Sequence, residues 1–140
     1  MVGDLPAYTT GAKGKDLEEG MVHLAASISV AESMNDPDKY ERVNYEGSKK
    51  VLDWASSYNH YISSSNKQSG EARGPIRKVV AASSAAIYGD PDTALLPLKE
   101  STPYGGKSPY ADTKYRMEGL MKDFVLRQNH EKSEIGRAHV

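Results

Sequence analysis

The chain has 140 residues, the length of one domain, with 38% hydrophobic and 26% charged residues and a formal net charge of −1. That near-neutral balance gives no electrostatic grip on nucleic acid or an anionic membrane, and the absence of cysteine excludes disulfide scaffolds and thiolate metal sites. No apolar run reaches the length of a membrane span and no basic-then-apolar leader opens the chain, so the expectation is a cytoplasmic protein with neither membrane nor nucleic-acid partners.

Near the start, Asp4-Leu5 precedes Pro6 and by itself reads as a turn or cap. Gly11-Ala12-Lys13-Gly14 follows no strand and does not have phosphate-loop spacing. Met21 to Ala25 is a short apolar run, expected as a buried parallel strand. Leu24 closes that run, and Ala25 and Ala26 at its end would let backbone pass close to a ligand. His23 within it reads as a packed, hydrogen-bonded histidine, and no ligand cluster points to a metal. Asp36-Pro37-Asp38 has the form of a helix start: a capping Asp, Pro at the first position and an acid in the first turn. The spacing predicts a helix over Asp38–Ser57, burying Tyr40, Val43, Gly47, Val51, Leu52, Trp54 and Ala55. Asn44 lies in its middle, where Asn is mildly unfavourable and wants a reason. Tyr58 to Pro75 is rich in Ser, Asn, Gln and Gly, which predicts a surface loop insertion over residues 58–75.

Lys78 to Ala82 predicts a second strand, ending in the hydroxyls of Ser83 and Ser84. Asp90 to Ser108 carries Pro91, Pro97 and Pro103 and reads as loop. Tyr110 to Arg127 predicts a helix with the apolar stripe Met117, Leu120, Met121, Phe124 and Val125. Tyr110 and Lys114 are four apart, so on a helix they share one face. A phenol beside an ammonium has its anionic form favoured, as a general base needs. With the Ser84 hydroxyl, this set suits proton removal from an alcohol whose carbon gives up hydride. A lone Y-x-x-x-K recurs by chance in ordinary helices. Its coupling to the run Ser83 to Gly89, to Glu100 through Pro103 and to Ser108-Pro109 makes the pattern specific.

Together these residues resemble the extended short-chain dehydrogenases/reductases, the NAD-dependent epimerase/dehydratase family. Val30, Glu32-Ser33, Asp36-Pro37, Tyr40 and Asn44 are similar to the corresponding stretch of its UDP-glucose 4-epimerases. The resemblance implies an α/β fold, a partial Rossmann-like doubly wound parallel sheet lacking the first strands and the C-terminal substrate domain. Residues 1–132 would be the central part of an NAD-binding domain. Residues 133–140 end in Ile135 to Val140, which resembles translated read-through of a sequencing-library adapter, and are set aside as a non-native tail. The resemblance further implies catalysis by Ser84, Tyr110 and Lys114, with Ser84 and Tyr110 meeting a UDP-hexose. It implies NAD contacts from Asp4, Leu5, Leu24, Ala25, Ala26, Asn44, Tyr110 and Lys114. It implies a homodimer in the intact parent, formed by the helices over Asp38–Ser57 and Tyr110–Arg127. Ala85 and Ala86 stand where the family's dehydratases carry an acid pair, which favours an epimerase; nucleotide-sugar dehydratase, decarboxylase, dehydrogenase or a non-catalytic NAD sensor are the alternatives. No glycine-rich diphosphate turn occurs, so the 140 residues alone are expected to bind NAD poorly and to show no turnover.

Overall fold

The computed structural model describes residues 19–65 and 74–137, with side chains as far as 128. Asp4 and Leu5 therefore lie outside the described residues. Strand β1 (Glu19–His23) pairs in parallel with β2 (Ile76–Ala81), with Met21 opposite Val79 and His23 opposite Ala81. Both strands begin earlier than their apolar runs imply. Backbone pairing can extend through charged residues such as Glu19 and Lys78, whereas hydropathy marks only the buried centre. Leu24, Ala25 and Ala26 consequently follow β1 instead of ending it.

The crossover between the strands is mostly helical. Helix α1 (Val30–Asn35) is capped by Ser29, and α2 (Pro37–Tyr40) by Asp36, whose carboxylate accepts from the Lys39 amide. A π-helical segment, Glu41–Glu46, leads without a break into α3 (Gly47–Ser65). After β2, a single 3₁₀ turn (Ala85–Tyr88) and a second (Thr93–Leu95) precede α4 (Pro109–Arg137). The predicted loop between Thr93 and Ser108 is otherwise irregular.

The long helical run corrects two expectations. It continues to Ser65, eight residues past the predicted end at Ser57, so the first part of the 58–75 stretch is helix and not loop. Its buried face is also different. Tyr40, Asn44, Ser48, Leu52, Ala55, Asn59 and Ile62 are inside, while Val43 and Trp54 are exposed. The i→i+5 turn of the π segment widens the spiral, so Tyr40, Asn44 and Ser48, four apart, fall on one line. Apolar periodicity misses such a stripe because its polar members are buried by hydrogen bonding and not by hydrophobicity.

Asn59 shows how. Its side chain accepts from the Ile76 amide at 2.6 Å and donates to the Ile76 carbonyl at 2.9 Å and to Gln128 Oε1 at 2.8 Å. One side chain thus replaces a missing strand partner for Ile76 and ties α3 to α4. Replacing it leaves buried donors and acceptors unpaired, so Asn59→Ala is expected to cost about 3 kcal/mol in urea unfolding. A loss under about 1 kcal/mol would contradict that role.

The core is Leu52, Ala55, Ile76 and Phe124, flanked by Met21, Tyr58, Val79, Leu120 and Met121. Each fully buried large side chain here contributes roughly 1.5–3 kcal/mol. Val125, expected in the α4 stripe, is half exposed, since the stripe narrows to Met117 and Phe124. Helices α3 and α4 cover one face of the sheet; on the other, Val22 and Val80 stand open. Among the described residues the sheet is therefore one-sided. Among the described residues no helix is long and apolar enough to cross a membrane.

Candidate active site

Helix α4 carries the two strongest candidates. Ser108 accepts from the Ala111 amide as the cap, and Pro109 occupies the first position with its ring preset for a helix. Tyr110 and Lys114 therefore sit in the first two turns with fixed direction. Both are buried, at 8% and 4% exposure.

Lys114 donates through Nζ to the carbonyl of Ala82 at 2.8 Å, just past the end of β2. Burial of the ammonium pushes its pKa below the usual lysine range. An ammonium has three donors, and among the described residues one carbonyl is its sole hydrogen-bond partner. Ser84 is two residues beyond Ala82. Its backbone is extended, and its hydroxyl oxygen accepts from the Ala86 amide at 3.2 Å, capping the 3₁₀ turn that packs on α4. The tertiary structure thus brings Lys114 to the strand end that carries Ser84. It makes no direct hydrogen bond between Ser84 and Tyr110.

Tyr110 meets Tyr40 edge-to-face, with ring centroids 6.2 Å apart. The Tyr40 hydroxyl accepts from the Ser29 amide at 2.9 Å and donates to Glu32 Oε2 at 2.7 Å. Burial and the neighbouring Glu32 carboxylate both raise the Tyr40 pKa, so this phenol stays neutral and structural. No hydrogen bond ends on the Tyr110 hydroxyl among the described residues. Of two tyrosines in contact, one has its hydroxyl pinned and the other has it available.

Asn44 is fully buried and fully used. Its oxygen accepts from the Ser27 amide at 2.8 Å, and its nitrogen donates to the Ser27 carbonyl at 3.0 Å and to Thr113 Oγ1 at 3.3 Å. It fixes the chain just after β1 and links it to the residue before Lys114. These bonds supply a structural reason for an Asn in the middle of the helical run. Ahead of that clamp, Leu24 and Ala25 are exposed and Ala26 is half-buried, forming an apolar ledge of small residues.

Sequence reasoning named none of Thr113, Ser48, Arg116 or Glu118. Ser48 donates to the Asn44 carbonyl and bonds His23 Nε2 at 2.9 Å. Arg116 forms a two-pronged pair with Glu41 at 2.7 and 2.8 Å and lies 3.7 Å over the Tyr45 ring, locking α4 to the π segment. Glu118 accepts from Ser83. Only Glu118 had a readable signal, since it lies four residues beyond Lys114 on the same face.

His23 gives a pH test. Burial lowers its pKa, and the nearby Lys114 ammonium pushes the same way. The unfolded chain then binds a proton that the folded chain refuses, so stability must fall as pH drops below the ordinary histidine value. Between pH 7.5 and 5.5 the wild type is expected to lose roughly 2 °C more in Tm than His23→Gln. Equal losses in the two proteins would remove His23 from the account.

A family model described as GDP-mannose 4,6 dehydratase matches residues 18–133. A UDP-glucose 4-epimerase of Streptococcus mutans serotype c is 35% identical over 104 residues, 74% of this chain and 26% of the relative. Among solved structures, the UDP-glucose 4-epimerase of Brucella ovis in complex with NAD aligns with TM-score 0.56 and 31% identity, over 76% of this chain and 27% of that one. The UDP-Glc/GlcNAc 4-epimerase of Campylobacter jejuni aligns with TM-score 0.57 and 29% identity, over 77% and 27%. The chain spans about a quarter of the length of the curated relatives it matches.

Proposed function

The chain belongs to the GDP-mannose 4,6 dehydratase family, within the NAD-dependent nucleotide-sugar epimerases and dehydratases, and from that premise we propose that it is the acid–base segment of a UDP-glucose/UDP-galactose 4-epimerase. The observation that carries this reading is the pairing on α4. A buried tyrosine with an available hydroxyl stands one turn from a buried lysine, and that lysine is fastened to the strand end bearing Ser84.

In this reading Tyr110 removes the proton from the sugar hydroxyl and later returns it. Ser84 holds that hydroxyl or relays its proton. Lys114 places a positive charge where the phenolate forms and stabilises it. Tyr40 holds the Tyr110 ring, and Asn44 holds the backbone that the ligand passes. Ala85 and Ala86 offer no acid after Ser84, which favours epimerisation over water elimination despite the family's dehydratase members.

The donor set fits NAD. Lys114 has donors to spare for a ribose hydroxyl, and Leu24, Ala25 and Ala26 present an apolar ledge at the end of β1. NAD held there would supply a reversible hydride acceptor for the sugar carbon. Asp4, Leu5 and Asn44 complete the proposed contacts, Asn44 by fixing Ser27. The α3 and α4 surfaces that include exposed Trp54, Tyr61 and Val125 are proposed to pair two copies of the intact protein, in the cytoplasm.

The test is interconversion of UDP-glucose and UDP-galactose, measured in two proteins. One is the 140-residue chain. The other is a hybrid carrying residues 18–133 in place of the matching segment of the Streptococcus mutans epimerase. The hybrid is expected to turn over; the chain alone is expected to bind NAD weakly and to be inactive. A hybrid that folds and binds NAD yet shows no turnover would overturn the reading.

A further inference from the structure

Tyr110, Lys114 and Glu118 recur every fourth residue along α4, so they form one stripe. Two members of that stripe are attached to consecutive residues past β2. Lys114 holds the carbonyl of Ala82, and Glu118 accepts the hydroxyl of Ser83 at 2.5 Å. Ser84 is the next residue. The Ser83–Glu118 bond lies at the surface and joins two side chains 35 residues apart. Among the described residues Glu118 forms no ion pair, so its carboxylate is committed to Ser83.

We propose that Glu118 and Ser83 form a latch that positions the Ser84 strand end against the Tyr110–Lys114 face. Lys114 alone is a poor anchor. Its stem is flexible and its single bond fixes one point; the turn that follows is held by the Gly105 amide on the Ile87 carbonyl, which leaves Ser83 between the two attachments able to rotate. A second attachment one residue later and one helical turn further along removes the rotation. The hydroxyl of Ser84 then has one position relative to α4, with the 3₁₀ turn at Ala85–Tyr88 continuing from it. Glu118 touches no reacting atom; it acts through Ser83. The proposal rests on the acid–base reading only for its catalytic consequence, because the latch itself is a statement about geometry.

The experiment uses the 140-residue chain and follows amide hydrogen exchange by NMR. Ala86 donates its amide to the Ser84 hydroxyl oxygen, so its exchange reports the local geometry. Glu118→Ala and Ser83→Ala are each expected to speed Ala86 exchange about tenfold, while the Val79 and Phe124 amides in the core hold their rates. The double variant is expected to go no further than either single, since both remove the same bond. Glu118→Gln keeps an oxygen acceptor and is expected to restore the slow rate. Uniform acceleration across the chain, additive effects in the double variant, or a Glu118→Gln as fast as Glu118→Ala would each overturn the latch.

A second readout separates this proposal from the acid–base one. In the hybrid, Glu118→Ala is expected to lower kcat about tenfold with KM unchanged, and Glu118→Gln to recover it. If Tyr110→Phe leaves turnover intact, the acid–base reading fails while the exchange data still decide the latch. If Tyr110→Phe abolishes turnover and Glu118→Ala changes neither exchange nor kcat, the latch fails alone.

Discussion

Replacing Tyr110 by Phe in the hybrid epimerase is expected to lower kcat about a thousandfold and to leave Tm nearly unchanged. The asymmetry between the two effects follows from where the hydroxyl stands. The ring is what the fold uses: it is buried and packs edge-to-face on Tyr40, and phenylalanine keeps that contact. The hydroxyl makes no hydrogen bond among the described residues, so its removal leaves no buried partner unpaired. Chemistry loses its proton acceptor while the scaffold loses almost nothing. Tyr40→Phe is the matched control, because there the hydroxyl joins Ser29 to Glu32 and its loss falls on the fold. Turnover in Tyr110→Phe within about threefold of the parent would show that another group takes the proton.

Gly89→Ala is expected to cost about 3 kcal/mol or more in urea unfolding. Gly89 has φ of 62° and ψ of −132°, a region that only glycine occupies without strain. The added Cβ would also stand 2.0 Å from the carbonyl oxygen of Gly105, so two backbone segments would have to separate. Those segments are joined by the Gly105 amide bonding the Ile87 carbonyl at 2.9 Å. One ends the 3₁₀ turn begun at Ser84, and the other leads into the cap of α4. Separating them would disturb both strands of the proposed site as well as the fold. A midpoint shift equivalent to less than about 1 kcal/mol would mean that the crossing gives way easily.

Much of this was readable in the chain itself. Tyr110 and Lys114 at a four-residue interval, Ser83-Ser84 closing an apolar run, and Asp36-Pro37 opening a helix are local statements. Each depends on the geometry of one element, so the sequence alone determined that Tyr110 and Lys114 share a helix face and that helices open at Asp36-Pro37 and Ser108-Pro109, whereas α1 (Val30–Asn35) went unread. The resemblance built on those residues placed the chain in the right family, as the family model over residues 18–133 bears out.

The tertiary structure decided what those elements do to one another. Lys114 meets Ala82 across 32 residues, Glu118 meets Ser83 across 35, and Asn59 meets Gln128 across 69. No periodicity reports a partner at that distance. The same reason explains why the face of the long helix was only partly read, with Tyr40, Leu52 and Ala55 buried as expected. Val43 and Trp54 look like core by hydropathy, yet Asn44, Ser48 and Asn59 are inside because each found hydrogen-bond partners there. Burying an amide costs free energy until a partner offsets it, and whether one is present is fixed only when the chain has folded.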